Sequence, residues 1–177
     1  DIALWRLDRP AGEAARLRAL LSVEEAARAD RFARAVDRDR WTAARAGLRL
    51  LLAEALGRAP DALVFGREAN DRPTVIGGGK LSFNLSHSAD VAALAVSFDA
   101  RVGVDVEEIR PIGPDEIAWA LSATEREALA RAGQEEQLET FFRFWTLKEA
   151  FMKGTGLGAT LPLHDFDTGL MAQDWSG

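Results

Sequence analysis

The chain has 177 residues and a mass of 19.3 kDa, with 22 Lys+Arg against 28 Asp+Glu, a formal charge of −6 and a pI near 5.0. That acidity argues against a nucleic-acid binder, while 47% apolar and 28% charged residues are the balance of a globular protein that can bury a core without staples. With no cysteine, disulfides, thiolate nucleophiles and zinc–thiolate sites are excluded, and two histidines leave little for an imidazole metal cage. A reducing, cytoplasmic setting fits this composition. No apolar run approaches the roughly 20 residues of a membrane span, and no basic segment followed by an apolar core marks a signal peptide. The sequence opens on Asp1 in place of Met, so residues are expected to precede it.

In chain order, the first third reads as helical. Ser22 followed by Glu25 is a capping box leading into an Ala/Arg helix through Phe32. A second helix is predicted from about Asp39 to Leu56, where Trp41, Ala44, Leu48, Leu51 and Ala55 repeat near the helical period before Gly57 and Pro60. The middle then turns to short β-type runs at Leu63 to Phe65, Thr74 to Ile76, Leu81 to His87 and Val91 to Phe98. Turn chemistry at Asn70-Asp71, Gly77 to Gly79 and Ala89-Asp90 separates them. A further strand is predicted at Arg101 to Glu107, and helices at Asp115 to Arg131 and Glu136 to Lys153. This order implies an α+β protein of two lobes, residues 1–102 and 103–177.

Charge is unevenly spread over this frame. Residues 1–50 carry eleven Arg and eight acids, whereas residues 101–150 carry six bases and eleven acids. One end suits an anion and the other a cation. Within the acidic part, strand alternation in Val102-Gly103-Val104-Asp105-Val106-Glu107 sends the valines to one face and both carboxylates to the other. Adjacent carboxylates repel unless a cation sits between them or one is protonated, and oxygen ligands with positions left open for water and phosphate suit Mg²⁺. Taken alone, the pair is also what a solvated strand face looks like.

Three further segments carry chemistry. In Trp145-Thr146-Leu147-Lys148-Glu149-Ala150-Phe151-Met152-Lys153, an apolar stripe places Glu149 and Lys153 on one face at i, i+4, which is equally the pattern of a surface ion pair. In Phe83-Asn84-Leu85-Ser86-His87-Ser88, alternation sends Phe83, Leu85 and His87 one way and Asn84 and Ser86 the other; a strand-end His can be purely structural. In Gly66 to Pro73, Arg67 and Arg72 could reach a phosphate or simply decorate a turn.

In this order and spacing the segments resemble the Sfp-type 4′-phosphopantetheinyl transferases, over about residues 20–166. The strongest carriers are Gly103-Val104-Asp105-Val106-Glu107 and the Trp145 to Lys153 helix, followed by Gly156-Leu157 and Leu161-Pro162-Leu163. The resemblance implies transfer of the phosphopantetheine arm of coenzyme A to a serine of an acyl or peptidyl carrier protein, releasing 3′,5′-ADP. It implies two similar α+β halves related by a pseudo-twofold, a coenzyme A cleft between them, and a monomer. By resemblance, Asp105, Glu107 and Glu149 hold Mg²⁺ and Glu149 is the general base. Lys148 and Lys153 contact the phosphates or the pantetheine arm, with Lys148 in the catalytic set. Ser86 and His87 meet the 3′-phosphate side, and Arg28, Arg40 and Arg72 bind coenzyme A. Arg72 stands where the family usually has Lys after Gly, and Asp71 replaces that Gly.

The chain ends soon after Leu161-Pro162-Leu163, where the family usually continues with strands of the second half, so the C-terminal half is expected to be incomplete. Two rival readings are another Mg²⁺-dependent enzyme that cleaves a nucleotide pyrophosphate without a carrier protein, and a noncatalytic carrier-protein binder.

Overall fold

A computed structural model describes residues 1–68, 71–156 and 161–169. The predicted turn residue Asn70, the loop residues Leu157 and Gly158 and the C-terminal residues 174–177 lie outside the described residues.

The first third departs from its helical expectation at once, because Ile2–Arg6 forms strand β1. Its partner lies some ninety residues away, in register Ile2↔Ala95 through Arg6↔Val91. No local pattern could announce that pairing. Helix α1 (Ala14–Arg18) follows, then α2 (Val23–Ala29). The predicted capping box opens α2: Ser22 Oγ accepts from the Glu25 N–H at 3.3 Å, and Glu25 accepts from the Ser22 N–H at 2.9 Å. Helix α3 (Ala35–Leu56) is stopped by Gly57, whose φ of +61° is the left-handed conformation that glycine adopts freely.

Strands β2 (Phe65–Arg67) and β3 (Pro73–Val75) form a two-stranded hairpin. Strands β4 (Ser82–Ser88) and β5 (Val91–Ser97) pair antiparallel, so the larger sheet has the order β1-β5-β4. Helix α3 lays Leu48, Leu52 and Ala53 against Phe83, Leu94, Val75 and Leu63, all at most 7% exposed. Each fully buried Leu or Phe here contributes about 1.5–3 kcal/mol.

The segment predicted as a strand at Arg101 to Glu107 is not one: it joins no backbone ladder. Side chains of β4 take its amides instead. Val102 N–H donates to Ser82 Oγ at 3.3 Å, Val104 N–H to Asn84 Oδ1 at 2.9 Å and Glu108 N–H to Ser88 Oγ at 3.0 Å. The helix predicted at Asp115 to Arg131 is two, α4 (Pro114–Ala120) and α5 (Ala123–Arg131). The break falls where Ser122 takes an extended conformation and caps α5, with Glu125 closing a second capping box. Helix α6 (Gln137–Thr155) carries the apolar stripe foreseen in the sequence. Its Phe141, Phe142 and Phe144 make a second core with Ala120, Leu121 and Leu129, separate from the first. The molecule is thus a mixed α/β protein with small sheets. Among the described residues no helix is long and apolar enough to cross a membrane.

Candidate functional site

Strand β4 organises the site because its two faces serve different neighbours. Phe83, Leu85 and His87 face α3, as alternation predicts, while Ser82, Asn84, Ser86 and Ser88 stitch segment 102–108 to the opposite face. That segment then crosses α6 at very short range: a Cβ on Gly103 would lie 1.9 Å from the Ala150 carbonyl oxygen and 2.4 Å from the Gly154 nitrogen. Only a residue without a side chain fits there. The crossing brings Asp105 beside the helix that bears Glu149 and Lys153.

At this junction the Asp105 side chain is 1% exposed. Its Oδ1 accepts from Ser86 Oγ at 2.8 Å and from Lys153 Nζ at 2.5 Å, and Lys153 also donates to Ser86 Oγ at 3.1 Å. Its Oδ2 is buried with no hydrogen-bond partner, the condition of a carboxylate oxygen short of one cation or donor. Glu107 is exposed and accepts from Ser88 Oγ at 3.0 Å. Burial pushes the half-buried Glu149 carboxyl above the ordinary carboxylate range; Lys153 pulls it back, and Asp105 and Glu107 push it further up. Glu149 therefore sits within the field of both other acids. Among the described residues, no three acidic or histidine side chains stand close enough to grip an ion without rearrangement.

One cavity adjoins this centre, and a second lies against the opposite face of β4. The first, of about 800 Å³, is walled by Glu149, Lys153 and Asn84 on one side and by Trp119, Met152, Leu161, Pro162 and Leu163 on the other. The second, of about 460 Å³, is basic and includes Arg28, Arg31, Arg45, Arg67 and His87. Pro73 borders both. The basic pocket is rigidly built. Arg28 sits over the Trp41 ring at 5.6 Å and Arg45 over Phe65 at 3.9 Å. Beneath them Glu25 ion-pairs with Arg45 and, at 2.6 Å, with the buried Arg49. Burial works to raise the Glu25 carboxyl, but the hydrogen bonds from Arg49 and the Ser22 amide and the Arg45 charge hold it below its ordinary range.

Of the residues singled out in the sequence, the structure brings Asp105, Ser86, Lys153 and Glu149 to one centre and Arg28 and His87 to one pocket. Four residues, Ser86, Arg72, Arg40 and Lys148, meet protein partners in this structure. Ser86 and His87 project from opposite faces of β4, as alternation predicts, and Ser86 donates to Asp105. Arg72 borders the larger cavity, but its guanidinium binds protein carbonyls, at 2.5 Å to Lys153, 2.6 Å to Val102 and 3.2 Å to Phe83. Arg40 pairs with Asp90 at 2.7 Å instead of joining Arg28. Lys148 is fully buried, its ammonium on Glu125 at 2.6 Å and on the carbonyls of Leu163 and Phe166.

Sequence reasoning missed Trp41 and Arg45 as pocket residues, although their i, i+4 spacing on α3 was a usable signal. It also missed Arg31, three residues beyond Arg28, and the amide-binding role of Asn84.

Comparison with known proteins bears on these features directly. The sequence model described as "4′-phosphopantetheinyl transferase superfamily" matches residues 101–174, and that described as "4′-phosphopantetheinyl transferase, N-terminal" matches residues 9–99. The chain is 38% identical over 165 residues to the 4′-phosphopantetheinyl transferase HetI of Nostoc sp., covering 89% of this chain and 70% of that protein. It is 35% identical to the transferase psf-1 of Bacillus pumilus, covering 89% and 67% of the two chains. To a 4′-phosphopantetheinyl transferase of Bacillus subtilis it is 31% identical, covering 93% and 74%. Similarity of this extent runs through the β4 segment, the Asp105 segment and α6 alike, and the chain belongs to the 4′-phosphopantetheinyl transferase superfamily.

Proposed function

We propose that the chain is a 4′-phosphopantetheinyl transferase that moves the phosphopantetheine arm of coenzyme A onto a serine of an acyl or peptidyl carrier protein and releases 3′,5′-ADP. Family membership supports the reaction class. One observation carries it to these residues: Lys153, paired with the buried Asp105, and Glu149 both line a cavity that meets a basic pocket at Pro73. The arrangement suits a long ligand with an anionic nucleotide at one end and an uncharged arm at the other.

In this reading residues 1–102 and 103–177 are the two halves of a monomer, and the cleft between them takes coenzyme A. Arg28, His87, Arg31 and Arg67 hold the nucleotide phosphates, and the Trp119, Met152 and Leu161 to Leu163 wall receives the pantetheine arm. Asp105, Glu107 and Glu149 would hold Mg²⁺; the unpartnered Asp105 Oδ2 and the mutual repulsion of the three acids fit a divalent ion. The metal, when bound, supplies charge stabilisation at the pyrophosphate oxygens.

The chain's own groups do the rest. Glu149, with its raised proton affinity, accepts the proton of the attacking serine hydroxyl. The serine oxygen bonds to the pantetheine-side phosphorus as the bridging P–O bond breaks, and 3′,5′-ADP leaves. Lys153 neutralises Asp105 before the reaction and supports developing phosphate charge during it.

The test is mass spectrometry of an apo carrier protein incubated with the chain, coenzyme A and Mg²⁺. A gain of one phosphopantetheine mass, lost in Asp105→Asn with the fold intact, is expected. Cleavage of coenzyme A without a carrier would instead support a nucleotide pyrophosphate-cleaving enzyme, and binding of carrier without modification a noncatalytic binder.

A further inference from the structure

The Lys148 side chain points away from the cavity that Glu149 borders, into a buried polar cluster that the reaction leaves unused. An ammonium has three donors, and here all three are occupied, by Glu125 at 2.6 Å and by the Leu163 and Phe166 carbonyls at 2.5 Å each. The ammonium also lies 4.6 Å from the centre of the Phe166 ring.

Glu125 is equally committed. It accepts from the Ser122 amide at 2.9 Å and, through its other oxygen, from the Thr168 amide and hydroxyl at 3.1 Å each. Ser122 Oγ reaches Asp167, and Phe151 packs on Phe166 with ring centroids 5.2 Å apart.

Apart from the Lys148–Glu125 pair and the Ser122–Glu125 cap, these contacts tie segment 161–169 to α6 or to α5 and its cap. The same segment contributes Leu161, Pro162 and Leu163 to the wall of the larger cavity. Its own backbone supplies little, the Asp165 N–H to Pro162 carbonyl turn at 3.1 Å. For Lys148 to reach a substrate phosphate it would abandon three acceptors and leave Glu125 buried and unpaired, which is strongly unfavourable.

We infer that Lys148 is a positioning residue: with Glu125 it fastens segment 161–169 as the wall that receives the arm of the substrate, and it takes no part at the reacting phosphates. This rests on the transferase reading for what the wall contacts, but the fastening itself does not.

The experiment compares the full chain with Lys148→Met, and with Lys148→Met/Glu125→Gln, which removes both charges while the one Gln oxygen keeps the Thr168 acceptor and gives up that of Ser122. Amide hydrogen exchange of residues 161–169 is measured with calorimetric binding of coenzyme A and of 3′,5′-ADP, and with kcat and KM. In the single variant the segment's amides exchange about tenfold faster or more, coenzyme A binds about tenfold more weakly and 3′,5′-ADP binds within about twofold of normal. The double variant spares the fold a stranded buried charge, but its segment still exchanges fast and coenzyme A still binds weakly, because the Leu163 and Phe166 carbonyls lack their donor in both variants. The loss falls on KM rather than kcat.

Unchanged exchange in the single variant would overturn the fastening. A kcat loss of about a hundredfold in both variants, with exchange and KM unchanged, would place Lys148 at the phosphates instead. If the single variant does not fold, the double variant decides alone, by the same exchange and kcat criteria. Failure of every chain, including the unmodified one, to bind coenzyme A would count against the transferase reading, and the exchange arm would still judge the anchor.

Discussion

Replacing Gly103 by Ala isolates the contact that joins the acid-bearing segment to α6. The new Cβ would stand 1.9 Å from the Ala150 carbonyl oxygen, where ordinary contact begins at 3.4 Å, so the two elements would have to part by about 1.5 Å. The obstructing atoms are backbone, so no rotamer change relieves the clash. Overpacking of this kind costs about 1–3 kcal/mol and occasionally more, and the rigid opposition of helix and segment points to the upper end, about 3 kcal/mol. The displacement also acts on function. Moving Asp105 that far from Lys153 breaks a 2.5 Å contact, and misplacement on the order of 1 Å can reduce a rate by roughly a hundredfold. The assay pairs urea denaturation with carrier-protein transfer, using Gly12→Ala as control, since a Cβ there meets nothing within 4 Å. Equal midpoints and equal rates for the two variants would refute the close-crossing argument.

Other residues give independent checks. Because the Glu149 carboxyl is raised in the folded chain, it contributes stability that is complete below its ordinary value of 4.5 and lost as pH rises through the folded value. In chelator, Glu149→Gln is therefore expected to match the wild type in acid and exceed its melting temperature near neutrality; a difference constant with pH removes the basis. Glu25→Ala strands the buried Arg49 charge and is expected to cost about 3–5 kcal/mol in denaturant titrations, against under about 1 kcal/mol for Asp30→Ala in the exposed Arg18 pair. Similar costs for the two would contradict the burial argument. Arg28→Ala is expected to weaken 3′,5′-ADP binding about tenfold at low salt and less at high salt, measured by calorimetry at two ionic strengths. An affinity indifferent to both changes would take Arg28 out of the nucleotide pocket.

What could be read in the sequence was local and periodic. The Ser22–Glu25 box, the long α3 and the face division of β4 all follow from spacing along one stretch of chain, and all stand in the structure. What escaped depends on partners remote in sequence. Strand β1 exists because β5 lies beside it, and the Asp105 segment looks like a strand in its alternation yet spends its amides on the hydroxyls and amide of β4 side chains. The site divides the same way. The sequence pattern singled out Asp105, Glu149, Lys153 and His87, and the resemblance added Arg28; all of them border the centre or the cavities. It could not foresee that Lys148, one residue from Glu149, turns about a quarter of the helix circumference into the core, because nothing near it in sequence announces Glu125. Arg72 misled for a like reason: its charge suited a phosphate, but the carbonyls of Val102 and Lys153 claim it.

Strand β4 thereby works as a ruler between the basic pocket and the Asp105 segment. Its odd-numbered side chains face α3 and the basic pocket and its even-numbered ones face the Asp105 segment, and adjacent residues on a strand are only about 3.3 Å apart along its axis. A slip of one residue would exchange the two sets, carrying His87 toward Asp105 and Ser86 toward the arginines. Insertions or deletions between Ser82 and Ser88 should thus be far more damaging than substitutions there, since they recalibrate both ends at once.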